Sequence, residues 1–586
     1  MLKTEVRSGA YYDSVILMQL QRGLAALPGI DDAGVVMGTP ANKDVLAQSG
    51  LLTPAAQDAG ADDLIIVVGG EDDAALAAAL GQVDELLARR RGANAGDDYR
   101  PKSLDAAAKA LPEAAWVLIS VPGRYAAGVA EEALRLGKHV FLYSDNVTLD
   151  DEVRLKQTAA AHGLLVMGPD CGTAIVNGVG LGFANGVRSG NIGLVGASGT
   201  GLQHVTARIH QLGGGITHAL GTGGRDLTAD VGAITARQAL DLLSRDPATD
   251  VIVLISKPPA PAVARTLLDA ARSAGKPVIV NFIGYVPDAA MTTDDDDNLH
   301  FVRTLDGAAA LAVLLAQAGR LVPEDATEET AATSVAPLHG YLRGLYSGGT
   351  LAYEALLILQ EYLPAVYSNA PLDKRFRLEK ATQSREHTIV DLGEDEFTVG
   401  RLHPMMDNDL RLQRLAQEAA DPAVGVIVLD VVLGYGAHPD PAAELAPGIA
   451  QAIATAHAGE RDLTVVAVVV GTDADPQDMD RQIAQLAAAG AQVYVNHDEA
   501  VRMVGARLHL AAQTTAADPA AGADAEPPPV ALAALHAPLA AVNVGLESFT
   551  ASLEAQGAGV VQVDWRPPAG GNERLAGILA RMKRGG

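Results

Sequence analysis

Two short turns carry residue types that can hold a small anion. Ser198-Gly199-Thr200-Gly201 follows the apolar run Ile192–Val195 and opens a helical pattern with Leu202, Val205 and Ile209. Ser347-Gly348-Gly349-Thr350 follows a second short apolar strand and precedes Leu351, Ala352 and Ala355. A strand that feeds a glycine turn and a helix aims backbone N–H groups and the positive helix end at one point. Glycine lets an anion come close, and the Ser and Thr hydroxyls add donors. These eight residues are the candidate seat for phosphate or carboxylate; the same pattern also serves as an ordinary tight connection in a parallel sheet. Four residues can supply the cations and proton-handling groups such a seat needs. Arg225 follows Gly223-Gly224 at a strand end, where a guanidinium fork suits an anion or a surface salt bridge. Lys257 stands in Ser256-Lys257-Pro258-Pro259, a loop stiffened by prolines that lack N–H groups, and is either a site cation or a solvated lysine. Arg401 and His403, in Gly400-Arg401-Leu402-His403-Pro404, form the matching set for the second turn, although a lone histidine is more often structural. His438 is a weaker candidate. Cys171 reads as a small buried thiol before it reads as a nucleophile, and Asp294–Asp297 as a solvated loop before a cation site. No metal site is expected.

The elements around the two turns repeat. After the first come ITHALGTGGRDL (Ile216–Leu227), a helix, DPATDVIVLISKPPAP (Asp246–Pro261), a helix and GKPVIVNFIG (Gly275–Gly284). After the second come HTIVDLGEDEFTVGRLHP (His387–Pro404), a helix, DPAVGVIVLDVVLGYGAHPDP (Asp421–Pro441), a helix and LTVVAVVVGTDADP (Leu463–Pro476). Apolar strands alternating with helices predict two similar α/β domains with parallel sheets. Each carries its turn at the carboxyl ends of its strands, where open α/β sheets bind ligands.

The rest of the chain divides around this pair. Residues 1–100 alternate short strands and helices and predict a small α+β domain; 101–189 are βαβ-like and predict a Rossmann-like domain. The repeats occupy 190–320 and 341–511, with linkers at 321–340 and 512–530 and a tail module at 531–586. At 586 residues the chain is too long for one core. A net charge of −27 argues against nucleic acid and acidic membranes as partners. A single cysteine excludes an internal disulfide and a cysteine-based metal cluster. Neither a signal-peptide core nor a membrane span is readable, so a cytoplasmic location is expected.

The order GPDCGTAIVNG (Gly168–Gly178), NIGLVGASGTG (Asn191–Gly201), GTGGRD (Gly221–Asp226) and DPATDVIVLI (Asp246–Ile255) resembles the alpha subunit of succinyl-CoA synthetase. Val390–Asp473 resembles that enzyme's beta-subunit ligase domain. Nearly the full length resembles the FdrA family, through YYDSVILMQL, VMGTPANK, YSDNVTLDDEVRLK, VMGPDCGTAIV, GASGTG, GGRDL, SKPPA, YSGGTLAYEA, DLGEDEFTVGRLHPMMD and WRPPAGGN. The resemblance implies a multidomain α/β protein: a Rossmann-like domain of CoA-binding type, two flavodoxin-like domains of succinyl-CoA-ligase type, and the small α+β domain. FdrA proteins are often labelled acyl-CoA synthetases, and the family includes a subunit of the oxamate carbamoyltransferase of allantoin breakdown. That implies phosphorolysis of oxalurate to oxamate and carbamoyl phosphate, with partner subunits. The tail stretch VNVGLESF…VDWRPPAGGN resembles the start of one partner family.

The chain departs from the synthetases at three places. Their phosphohistidine lies in a GHAGA-type loop, where this chain has IGYVPDAAMTTDDDDNLHFV (Ile283–Val302), with His300 in unmatched surroundings. The glycine loop for CoA and the nucleotide-binding half of the beta subunit have no counterpart. The expected function is therefore a carbamoyltransferase subunit in purine nitrogen breakdown. Its two turns would hold phosphate or carbamoyl phosphate as substrate, and Arg225, Lys257, Arg401 and His403 would serve the reaction. CoA is not expected, nor is any resident cofactor; partner subunits and an oligomer are. An acid–CoA ligase and a non-catalytic anion-binding scaffold are the alternatives.

Overall fold

The computed structural model describes residues 1–7, 14–38, 42–43, 46–47, 49–60, 63–87, 104–110, 115–120, 123–285, 298–317, 337–398, 403–515, 540–544 and 559–563. Three strands, β1 (Leu2–Arg7), β2 (Asp32–Met37) and β3 (Leu64–Gly69), form an antiparallel sheet in the order β1-β3-β2. Central β3 is apolar throughout because both of its faces are covered. Leu64, Ile66 and Val68 meet Leu17, Leu20, Leu24 and Leu76, while Ile65 and Val67 meet Leu46, Leu51 and Ala56.

Strands β4 (Trp116–Ile119), β5 (His139–Leu142) and β6 (Val166–Met167) follow as a parallel sheet with helices Gly123–Arg135 and Leu149–Ala161. Next comes the hairpin of β7 (Thr173–Val176) and β8 (Val179–Gly182). Asn177 and Gly178 turn it with φ of 50° and 77°, the left-handed pair that a two-residue hairpin favours. This hairpin lies in the stretch read from sequence as the Rossmann-like domain, yet β7 pairs with the sheet of the first repeat, Ala219 opposite Ile175.

The first repeat contains β9 (Ser189–Gly196), β10 (Ile216–Gly221), β11 (Val251–Ser256), β12 (Val278–Phe282) and β13 (Leu299–Phe301), in the order β13-β12-β11-β9-β10-β7-β8. The second contains β14 (Tyr341–Tyr346), β15 (Tyr367–Ser368), β16 (Thr388–Asp391), β17 (Val424–Val432), β18 (Thr464–Val470) and β19 (Gln492–Tyr494), in the order β15-β16-β14-β17-β18-β19. In each, the first strand sits inside the sheet and the chain then runs outward to both sides, the flavodoxin-like winding. The crevice at the carboxyl end of that strand is where such sheets bind ligands. Both turns sit there.

The repeats share one core. Ile192, Leu202 and Val205 of the first and Leu342, Leu351 and Ala355 of the second belong to one buried cluster. A polar network crosses the same interface. The Asp306 carboxylate accepts from Arg208 Nε at 2.7 Å and from the His497 N–H at 3.1 Å, and meets His204 Nε2 at 3.0 Å. Burial opposes its charge, but His204 and Arg208 hold the Asp306 carboxyl well below the usual range. Glu354 meets His497 Nδ1 at 2.7 Å and accepts from Leu305 N at 2.8 Å. Asp475 accepts from Asn185 Nδ2 and Gly186 N at 2.8 and 2.7 Å. Paired charges in a low-dielectric interface fix the two helices that carry the turns.

In the second unit of the chain, residues 517–586, β20 (Ala540–Val544) and β21 (Gly559–Val563) run parallel with Val542 opposite Val561. The sequence also predicts a tail helix over Ser548–Gln556, which lies outside the described residues. Among the described residues, no helix is long and apolar enough to cross a membrane.

Candidate functional site

The helices Gly199–Gln211 and Gly349–Leu359 begin where β9 and β14 end, and their first turns touch. Ser198 Oγ and Thr350 Oγ1 share a 2.5 Å hydrogen bond. Ser198 Oγ also accepts from Gly201 N at 3.0 Å, capping its helix. Thr200 packs on Gly348, where a Cβ would fall 2.3 Å from Thr200 Cγ2, so glycine is required there. The eight turn residues are thus brought together, with two positive helix ends converging.

The two turns differ in what fills them. Asp430, on β17, places its carboxylate under the second turn. It accepts from Ser347 N at 2.7 Å, Ser347 Oγ at 3.0 Å and Gly348 N at 2.9 Å. Arg411 pairs with it at 3.2 Å and also donates to the Asp430 backbone carbonyl. All three residues, Ser347, Arg411 and Asp430, are buried. The second anion seat is therefore filled by the protein's own carboxylate. Aligning the repeats on Asp246 and Asp421 puts Ile255 where Asp430 stands and Ala236 where Arg411 stands. The charge pair is replaced as a pair. Ile255 does lie under the first turn, its Cγ2 3.0 Å from a Cβ built on Gly201.

No such carboxylate reaches the first turn among the described residues. Thr173, at the start of β7, faces it instead. Its Oγ1 is buried, makes no hydrogen bond among the described residues, and lies 3.4 Å from a Cβ built on Gly199. A buried hydroxyl without a partner costs about 1–3 kcal/mol. Beside a helix N-terminus it completes a donor set for an oxyanion.

A cavity of about 410 Å³ opens on the second-repeat side, lined by Lys257, Tyr353, Asn369, Arg377, Glu394, Glu396 and two small residues. Asn369 organises its floor: Nδ2 donates to Asp391 O and Glu396 Oε1, both at 2.9 Å, and Oδ1 accepts from Asp391 N at 2.9 Å. The Asp391 carboxyl links this floor to the second turn. Oδ1 accepts from Gly393 N at 2.9 Å, and Oδ2 would lie 2.3 Å from a Cβ on Gly349. Burial pushes the Asp391 carboxyl up to about 7, against the pull of Lys257. A carboxyl poised there can give or take a proton at neutral pH.

Lys257 is the sequence-predicted cation that the structure brings to this cavity. Its Nζ stands 6.0 Å from the centre of the Tyr353 ring. His403 lies nearby, its Nε2 3.1 Å from a Cβ built on Gly393, its Nδ1 accepting from Met405 N at 3.2 Å, and its ring against Phe183. Burial pulls it down to about 4, so it is neutral at pH 7.

Arg225 is committed elsewhere. It donates to Glu152 and to Val147 O, both at 2.8 Å. Glu152 in turn holds the buried Lys156, which also reaches Asp226 at 2.7 Å. Its geometry is that of the salt bridge left open in the sequence reading. Arg401 and Asp294–Asp297 lie outside the described residues. His438 pairs with Glu444, and burial pushes the Cys171 thiol up to about 12, which removes the thiolate a nucleophile needs. His300 pairs with Ile279 along edge strand β13. Sequence reasoning missed Asp391, Asp430 and Arg411. The last two had a readable signal, because they are charged where the aligned first repeat has Ile255 and Ala236.

Three family models match the chain: "AllF, heavy metal-associated domain" over residues 1–102, "CoA binding domain" over 187–284 and "CoA-ligase" over 345–507. The CoA-binding description thus falls on the first repeat, not on 101–189. The heavy-metal description does not fit the residues present. Residues 1–102 contain neither Cys nor His, the usual donors for soft and borderline cations. Among the described residues, no group of three or more His, Cys, Asp or Glu could hold a metal ion. The alpha subunit of an ADP-forming succinate–CoA ligase from Methanothermobacter thermautotrophicus is 29% identical over 143 residues, 24% of this chain and 47% of that subunit. The solved dinucleotide-forming acetyl-coenzyme A synthetase 1 of Ca. Korarchaeum cryptofilum, in complex with phosphate and ADP, aligns at 16% identity and a TM-score of 0.30, over 68% of this chain and 83% of that one. The uncharacterized protein YahF of Escherichia coli (strain K12) is 42% identical over 494 residues, 83% of this chain and 95% of that protein. With its CoA-binding and CoA-ligase-type domains, the chain belongs to the FdrA family.

Proposed function

We propose that this chain is an acyl-transfer enzyme of the CoA-ligase type, working through an acyl phosphate whose phosphoryl group sits on the first turn. One observation carries the reading. Of two converging helix ends, one is met by the Asp430 carboxylate, and the other has, among the described residues, donors around it: backbone N–H groups, Thr173 and Thr200. In the transfer, a thiol sulfur bonds to the acyl carbon, the carbon–oxygen bond to phosphate breaks, and the thiol proton passes to the departing phosphate. The turn stabilises the charge that develops on that phosphate, and Lys257 is the cation that neutralises the acid. Partner subunits complete the enzyme.

A second reading is favoured by the segment after β12, which has no histidine before His300. An enzyme that takes phosphate directly needs no phosphohistidine. In a carbamoyltransferase, phosphate oxygen bonds to the carbamoyl carbon of oxalurate, the carbon–nitrogen bond breaks, and the proton goes to the nitrogen of oxamate. Carbamoyl phosphate then occupies the same turn. Calorimetric titration of the full chain with phosphate, carbamoyl phosphate and CoA, repeated on Gly199→Asp, tests both. Phosphate binding that Gly199→Asp abolishes supports the acyl-phosphate reading. CoA binding at micromolar levels then selects the ligase, and carbamoyl phosphate binding without CoA the transferase. If no anion binds the first turn, both fail.

A further inference from the structure

The cavity beside the second turn holds opposite charges that do not close on each other. Lys257 and Glu394 both line it, and neither makes an ion pair or a side-chain hydrogen bond among the described residues. Lys257 stands over Tyr353 and acts on the buried Asp391 carboxyl through charge, without a hydrogen bond to it. Arg377 donates to the Asn369 backbone carbonyl and Glu396 accepts from Asn369 Nδ2, both at 2.9 Å, so each has one neutral partner and keeps its charge. The lining thus carries two cations and two carboxylates, of which Lys257 and Glu394 are left without a direct polar partner among the described residues.

We propose that this cavity binds a small zwitterion, its carboxylate on Lys257 and its ammonium on Glu394, as the acid substrate of the acyl transfer. The inference rests on the acyl-phosphate reading and names the acid it uses. Charge selects among the alternatives. A plain carboxylic acid satisfies Lys257 and Arg377 but leaves Glu394 and Glu396 facing it; an amine satisfies the two carboxylates but leaves the two cations facing it. Only a ligand with both charges meets both walls, and two charges already held apart lose little freedom on binding it. A volume of about 410 Å³ limits the ligand to a few carbons beyond its charged groups.

Isothermal titration of the full chain with glycine, L-alanine and L-aspartate, against acetate, propionate, succinate and ethylamine, tests the assignment. The zwitterions are expected to bind at least about tenfold more tightly than their matched acids. Glu394→Gln should reduce that preference to about twofold or less, and Lys257→Met should remove binding of acids and zwitterions alike. Circular dichroism of both variants controls for folding, since each side chain lies at a cavity wall. Equal binding of acids and zwitterions, an unchanged preference in Glu394→Gln, or no binding of any small acid overturns the proposal. Phosphate is titrated in the same series. Phosphate binding without zwitterion binding refutes only the zwitterion; zwitterion binding without phosphate binding refutes the acyl-phosphate reading and leaves the cavity assignment in place.

Discussion

Removing the Asp430 carboxylate should both destabilise the second repeat and open a seat. In Asp430→Ala, two backbone N–H groups and the Ser347 hydroxyl lose their acceptor, and Arg411 stays buried without its counter-charge. Breaking a buried ion pair from one side costs about 3–5 kcal/mol, and the orphaned donors push the value to the upper end. The assay is urea denaturation followed by hydrogen exchange over residues 341–359, which reports the second repeat apart from the other domains. The vacated site has the shape of one carboxylate, so formate should refill it. At a formate concentration of 100 times Kd the recovery is about 2.7 kcal/mol. The double variant Asp430→Ile with Arg411→Ala copies the first repeat and should lose less stability than Asp430→Ile alone, because no buried cation is left unpaired. A loss under about 1 kcal/mol in Asp430→Ala, or no recovery with formate, refutes the claim that an internal anion fills this turn.

Two further outcomes follow from the same geometry. Gly348→Ala drives a Cβ to 2.3 Å from Thr200 Cγ2, whereas Gly199→Ala meets nothing nearer than Thr173 Oγ1 at 3.4 Å. Differential scanning calorimetry should therefore show a loss of about 1–3 kcal/mol for the first and under about 0.5 for the second. Asp391 and His403 should tilt the stability–pH curve in opposite directions. The Asp391 carboxyl rises from 3.8 to about 7 on folding, so the folded state holds the extra proton and stability falls as pH rises from about 4 to 7, by up to about 4 kcal/mol. His403 drops from 6.5 to about 4, so the unfolded state holds the extra proton and stability falls as pH falls through that window, by about 3 kcal/mol at the limit. Urea midpoints between pH 4 and 7 should rise relative to wild type toward neutral pH in Asp391→Asn, and toward acid pH in His403→Gln; parallel curves would refute both assignments.

The layout of the repeats was legible because the period of the apolar runs and the two glycine turns are local signals. The strand order that places both turns at a crevice follows from parallel βαβ winding. What was not legible depends on distance in space. Arg225 looks like an anion fork in Gly-Gly-Arg-Asp, but Glu152 lies 73 residues away and takes its Nε–H. Cys171 and Gly221 are 50 positions apart in sequence, yet a Cβ on Gly221 would lie 2.5 Å from the Cys171 sulfur. The hairpin at Thr173–Gly182 was assigned by its place in the chain, while its pairing is decided by the open edge of β10. Asp430 could have been found, since a charged residue in the apolar run Val424–Val432 has to be partnered if buried.

The difference between the repeats also explains why the pair holds together. Two helix N-termini pointed at each other carry roughly half a positive charge each, close enough to repel in a buried interface. Ser198 and Thr350 bond across the gap, which adds dipoles but no net charge. Asp430 supplies one negative charge, and Arg411 returns part of it, so the junction remains electropositive without an anion from outside. If both turns carried internal carboxylates, the junction would be stable and inert. If neither did, the fold would depend on two bound anions. One filled and one open seat lets the second repeat hold the first in place while the first waits for substrate. On this reasoning, phosphate should raise the stability of the whole repeat pair, and Ile255→Asp, which fills the first seat from within, should abolish that rise.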